Sequence, residues 1–112
     1  MPETPVKSTE TPLLQEIVRR LVDFYRPRRI YLFGSTSRGD SGPDSDFDFM
    51  VLVPDDTPKA VRRDPEVFRL LGDIDAPIDI LVWTLRDFDS RLHLPASFPS
   101  TVVREGKLLY AA

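Results

Sequence analysis

Asp46 and Asp48 are two carboxylates one residue apart at the head of an apolar run that continues through Phe49-Met50-Val51-Leu52-Val53. In a β-strand, residues i and i+2 point to the same face, about 6.5–7 Å apart along the strand. The two acids therefore stand side by side, Met50 and Leu52 extend their face inward, and Phe47, Phe49, Val51 and Val53 line the other face. A run this apolar is a core strand, and two like charges at its start are costly unless a cation neutralises them. Mg²⁺ does this when bound by one or two carboxylates together with substrate phosphates. Upstream, a shorter apolar run, Ile30-Tyr31-Leu32-Phe33, stops at Gly34-Ser35 and precedes a short helical turn expected over residues 36–40. Glycine lets the backbone approach a ligand closely. Backbone N–H groups at a turn or helix start, with the Ser35 hydroxyl, make an anion site, and Arg38 adds a fixed positive charge suited to phosphate oxygens. Phosphate recognition beside metal ligation is the requirement of phosphoryl or nucleotidyl transfer.

The stretch FGSTSRGDSGPDSDFDFMVLV, residues 33–53, can be written as an apolar residue, Gly34, Ser35, ten residues, Asp46, Phe47, Asp48 and Phe49. This resembles the GSx10DxD signature of the minimal nucleotidyltransferases, in the DNA polymerase β-like superfamily. The resemblance runs from about Leu13 to Tyr110. It implies a third carboxylate on a later strand between apolar residues, a place that Asp79 fits within Pro77-Ile78-Asp79-Ile80-Leu81-Val82.

The resemblance implies two Mg²⁺ ions held by Asp46, Asp48 and Asp79, with Asp79 alternatively acting as general base. Gly34, Ser35 and Arg38 would then cradle the phosphates of ATP. It further implies a partner: minimal nucleotidyltransferases are often paired with a small helical HEPN protein, an RNase toxin, and act as its antitoxin by moving AMP onto a tyrosine. Two other readings stand beside this one. The chain could neutralise a HEPN toxin by binding alone, in a hetero-oligomer without catalysis. It could also be a nucleotidyltransferase whose acceptor is a small molecule or an RNA end.

The elements that must position these residues follow from local pattern. Residues 1–10 are polar, with Pro2 and Pro5, and read as a flexible tail ahead of one domain over 11–112. Thr11 is an expected N-cap and Pro12 the first helical residue. Leu13, Leu14, Ile17, Val18, Leu21, Val22 and Tyr25 recur at helical spacing, and Pro27 ends the helix. Residues 29–33 form the first strand. After the second strand, Asp64-Pro65 opens a helix with Val67, Phe68, Leu70 and Leu71 as its apolar face and Gly72 as its stop, while residues 59–63 are helix or loop. A third strand spans 78–84, and Thr84 caps a short helix with Asp87 three residues on. Pro95 and Pro99 interrupt the next stretch. A last helical segment over 100–105 is closed by Gly106 and followed by a strand over 107–110.

Alternating helices and strands specify an α/β layer arrangement. The pairing direction of the first two strands is open on length alone. The resemblance implies an α+β fold, a small mixed β-sheet packed with helices, as in polymerase β-like nucleotidyltransferases.

The chain has 112 residues, enough for one core. It has no cysteine, which removes disulfides and cysteine–zinc sites. No apolar run approaches the roughly 20 residues of a membrane span, and the first residues lack the basic-then-apolar order of a signal peptide. A cytoplasmic, non-membrane protein is expected. The net charge of −3 argues against direct nucleic-acid binding, though not against a nucleotide substrate.

Other motifs have plainer readings. Asp44, Asp46 and Asp48 have the spacing of a calcium loop, but Phe49 and Asp55 stand where that loop needs glycine and glutamate. Arg38-Gly39-Asp40 is a coincidental adhesion tripeptide. Arg19, Arg20, Arg26, Arg28 and Arg29 read as solvated surface rather than a nucleic-acid patch. His93 reads as a surface residue, Trp83 as core packing rather than a base-stacking ring, and Tyr110 as packing.

Overall fold

The computed structural model describes residues 12–33 and 47–112. The expected tail, the Thr11 cap, the turn over 36–40, and Gly34, Ser35, Arg38 and Asp46 lie outside the described residues. In chain order the elements are α1 (Pro12–Tyr25), β1 (Arg29–Phe33), β2 (Phe47–Val53), α2 (Lys59–Arg62), α3 (Glu66–Leu70), β3 (Ile78–Thr84), α4 (Leu85–Asp89), α5 (Phe98–Glu105) and β4 (Lys107–Ala111).

The helix α1 forms because its apolar residues fall on one stripe. Leu14, Ile17, Leu21 and Tyr25 are buried, whereas Leu13, at the margin of that stripe, is exposed. Arg26 leaves the helix with φ 52°, in the left-handed region, its N–H donating to the Val22 carbonyl at 2.9 Å. Pro27 then prevents a further helical turn.

The four strands form one sheet in the order β3-β2-β1-β4. β1 pairs antiparallel with both β2 and β4; β2 pairs parallel with β3. The sheet is therefore mixed, and the direction that chain length left open is antiparallel. The parallel pair is joined through residues 54–77, room enough for the crossover that parallel strands require.

Each face of the sheet has its own core. On one, Ile30, Leu32, Phe49, Val51 and Val53 pack with Leu14, Ile17, Leu21 and Tyr25 of α1 and with Val67 and Leu71. On the other, Tyr31, Met50 and Leu52 pack with Phe88 of α4 and Val102 of α5. The alternation along β2 is the one the sequence specifies. Full burial of such a side chain contributes roughly 1.5–3 kcal/mol.

Two local expectations change, and one open reading closes. In α3 Val67 is buried, as is Leu71 just past its end, but Phe68 is 53% exposed and Leu70 is exposed too. The helix is five residues long, so only one narrow stripe reaches the core. Of residues 59–63, open between helix and loop, Lys59–Arg62 form the short helix α2 and Arg63 is its C-cap. The last helix begins at Phe98, two residues ahead of the expected Ser100, because Ser97 is its N-cap and accepts from the Ser100 N–H. Pro99 sits in the first turn, where its missing N–H costs no helical bond.

The Thr84 cap is present: its hydroxyl accepts from the Asp87 N–H at 3.2 Å. Gly106 ends α5 in extended conformation, with φ −91°. Glycine is needed there for closeness, since a Cβ would lie 2.6 Å from the Val102 carbonyl oxygen and 2.7 Å from that of Leu32.

Candidate functional site

Asp48 is the second residue of β2 and Asp79 the second of β3. The parallel register sets them opposite one another, Asp48 beside Asp79, with Met50 beside Leu81 and Leu52 beside Trp83. Residues opposed in a parallel pair present their side chains to the same face, and adjacent strands lie about 4.8 Å apart. The two carboxylates thus stand together on the Met50–Leu52 face. On the other flank, Phe33 at the end of β1 is opposite Asp48. Phe33, Asp48 and Asp79 form one row across three strands.

Among the described residues, the row lies where the helical cover gives out. Met50 and Leu52 are buried beneath Phe88 and Val102. Asp48, one step outward, is half-buried, and Asp79 and Leu81 on the edge strand are exposed. The β2 core anchors the backbone at Asp48, while its position at the strand start leaves the site accessible.

A carboxylate pair of this kind matches a hard divalent cation. Its donors are oxygen, on adjacent strands and one face, and Mg²⁺ typically takes one or two carboxylates and completes its shell with water and phosphate. Among the described residues there is no group of three or more His, Cys, Asp or Glu placed to hold a metal, so the described site is the pair Asp48 and Asp79. The other expected members, Asp46, Gly34, Ser35 and Arg38, lie outside the described residues.

An aromatic group adjoins the row and was only partly legible in the sequence. The Phe98 ring meets Phe33 edge-on with centroids 5.4 Å apart, and lies 6.0 Å from Trp83. Trp83 is half-buried and packs edge-on against Phe88 at 6.4 Å, in keeping with a packing role, and the Arg91 guanidinium lies 5.7 Å from its ring centroid. A helix start at Ser100 hides Phe98; Ser97 followed by a proline two residues on is the signal that marks the true start.

Hydrogen bonds from Arg19 and Arg20 hold the Glu16 carboxyl down at about 2. Arg20 also grips Asp73 and lowers its carboxyl. Burial, and then the Asp64 charge, push the Tyr25 hydroxyl up to about 12. Arg19 pairs with Glu16 at 2.6 Å and with Asp23 at 3.1 Å, and Arg29 with Asp89 at 3.0 Å. Much of the arginine cluster is thus engaged by carboxylates, as a solvated surface requires. His93 is exposed.

The family model described as a nucleotidyltransferase domain matches residues 14–105. No curated protein matches the chain. Among solved structures, a toxin–antitoxin with AMP-PNP is similar at 29% identity and a TM-score of 0.61, over 88% of this chain and 73% of that one. A tri-AMPylated Shewanella oneidensis HEPN toxin in complex with MNT antitoxin is similar at 28% identity and a TM-score of 0.53, over 88% and 69%. A toxin–antitoxin MntA–HepT structure gives 26% identity and a TM-score of 0.53 over the same shares.

Proposed function

Because the chain belongs to the nucleotidyltransferase domain family, and is a nucleotidyltransferase, we propose that it moves AMP from ATP onto a tyrosine hydroxyl of a HEPN-type toxin and acts as that toxin's antitoxin. The observation that carries the reading is the register of Asp48 against Asp79 on an accessible face. A pure binding module has no need of two acids side by side at the starts of adjacent strands. The AMP-PNP complex and the AMPylated HEPN toxin among similar structures support the donor and the acceptor class.

In this reading Asp46, Asp48 and Asp79 are the acidic residues of the site. Mg²⁺ held by them would offset the charge of the triphosphate and favour ionisation of the acceptor hydroxyl. Gly34 follows Phe33 directly, and Phe33 is opposite Asp48. The Gly34 backbone and the Ser35 hydroxyl would donate hydrogen bonds to the β- and γ-phosphate oxygens, with Arg38 pairing to the same oxygens. The tyrosine oxygen attacks the α-phosphorus, the bond from that phosphorus to the α,β-bridging oxygen breaks, and pyrophosphate leaves. Asp79, exposed beside Asp48, would help to hold the metal or, as the alternative, would accept the hydroxyl proton and pass it to water. The setting would be cytoplasmic; among the described residues no helix is long and apolar enough to cross a membrane.

The test is transfer of label from α-labelled ATP to the product of the neighbouring gene, with Mg²⁺. AMP-labelled tyrosine with the native chain, and none with Asp48→Asn or Asp79→Asn, is the expected result. Tight partner binding without transfer, unchanged in both variants, would leave a non-catalytic antitoxin instead. Label arriving on an RNA end or a small molecule would replace the acceptor and keep the enzyme.

A further inference from the structure

We propose that Phe98 is the stacking surface for the nucleobase of the donor. The inference rests on the donor-site reading above and adds a residue to it. Scattered exposed apolar side chains are ordinary on protein surfaces and need no explanation; three features set Phe98 apart.

The first is place. Phe98 touches Phe33, which is opposite Asp48, and Asp48 is opposite Asp79. The ring therefore lies on the carboxylate face, one side chain removed from the row of acids. The second is exposure combined with fixation. Phe98 is 37% exposed, yet its ring is held between Phe33 at 5.4 Å and Trp83 at 6.0 Å. A ring already held this way loses little side-chain freedom when a planar ligand covers it. The third is backbone anchoring. Ser97 caps α5 directly before Phe98, Pro99 follows it and is buried, and Val102 one turn on is fully buried against Met50 and Leu52. The position of the ring is fixed by elements that do not depend on a ligand.

A triphosphate bound at the acids leaves its nucleoside to lie along this face, where the aromatic face of Phe98 offers a surface that any base can stack on. Stacking of this kind is tolerant of base identity. Phe98 would then raise affinity for all four nucleoside triphosphates without choosing among them. Selection of adenine, if the enzyme makes it, would come from other groups.

The measurement is calorimetric binding of ATP and of tripolyphosphate, each with Mg²⁺, to the full chain and to Phe98→Leu and Phe98→Trp. Leucine keeps the apolar bulk against Phe33 and Trp83 and removes the π-face; tryptophan keeps a π-face. Thermal unfolding of each variant establishes that it is folded. The expected result is about a tenfold loss of ATP affinity in Phe98→Leu, tripolyphosphate affinity unchanged, and recovery in Phe98→Trp. Equal ATP affinity in Phe98→Leu and the native chain would overturn the proposal. So would a parallel loss for both ligands, which would make Phe98 a wall of the phosphate site. A native chain that binds neither ligand would overturn the donor-site reading itself, and this inference with it.

Discussion

The two faces of the sheet are built from the same strands and are used differently. On the α1 face, Phe49, Val51 and Val53 are sealed under a 14-residue helix, and the polar side of that helix carries Arg19 and Arg20 engaged with Glu16, Asp23 and Asp73. On the opposite face the cover among the described residues is two shorter helices, α4 and α5, and it ends between Met50 and Asp48. Among the described residues, the α1 face carries the larger buried cluster, and the other keeps Asp48 and Asp79 in reach of solvent. One strand can serve both, because alternate side chains never share an environment.

The largest expected effect breaks the contrast on the open face. Asp48→Asn should reduce transfer roughly a thousandfold, since metal-assisted charge stabilisation is worth several kcal/mol. Single-turnover kinetics measures the loss, and a urea melt establishes that the variant is folded. A chain that unfolded on this change would show the acids to be structural.

The reverse test addresses the sealed face. Phe49 is 0% exposed, and Phe49→Ala should cost about 3–5 kcal/mol of stability, a large share of the roughly 5–15 kcal/mol of a typical domain. Activity measured well below the new melting temperature should survive in proportion to the folded fraction. A selective loss of activity in the fully folded variant would mean that the two faces are coupled.

Gly106→Ala sharpens the comparison at the seam between α5 and β1. Its Cβ would meet two backbone carbonyls, at 2.6 Å and 2.7 Å, and something must shift. A destabilisation of about 1–3 kcal/mol is expected, read from denaturant unfolding. Because the Leu32 carbonyl is one of the two and Phe33 follows it, a modest rise in the KM for ATP should accompany it.

The smallest effect concerns the charges on α1. The Glu16 carboxyl is lowered from 4.5 to about 2 by Arg19 and Arg20. A carboxyl depressed in the folded state adds stability above its unfolded value and loses it as pH falls through the folded one. The contribution should therefore fade between about 4.5 and about 2. Glu16→Gln should flatten the acid limb of a melting-temperature profile, and added salt should mimic it at neutral pH. Transfer activity should not change, since these charges lie on α1, across the sheet from the acids.

Much of this protein is written locally. Periodicity and the Pro12 and Pro27 signals fixed α1, and the apolar runs bounded by polar or turn residues fixed β1 and β3 to the residue. Alternation assigned each side chain of β2 to its face, because a two-residue period admits no other outcome. The acids were legible for the same reason: charge at the head of an apolar strand conflicts with its surroundings unless it has a use. What the sequence could not decide was which strands are neighbours. That Asp79 stands beside Asp48, residues separated by a crossover through α2 and α3, depends on sheet order and register, and these are settled by how two layers of helices bury both faces at once. Phe98 makes the same point from the other side: its exposure reads as surface in the chain, and only the packing of α5 over the sheet sets it against Phe33 and Trp83 beside the acids.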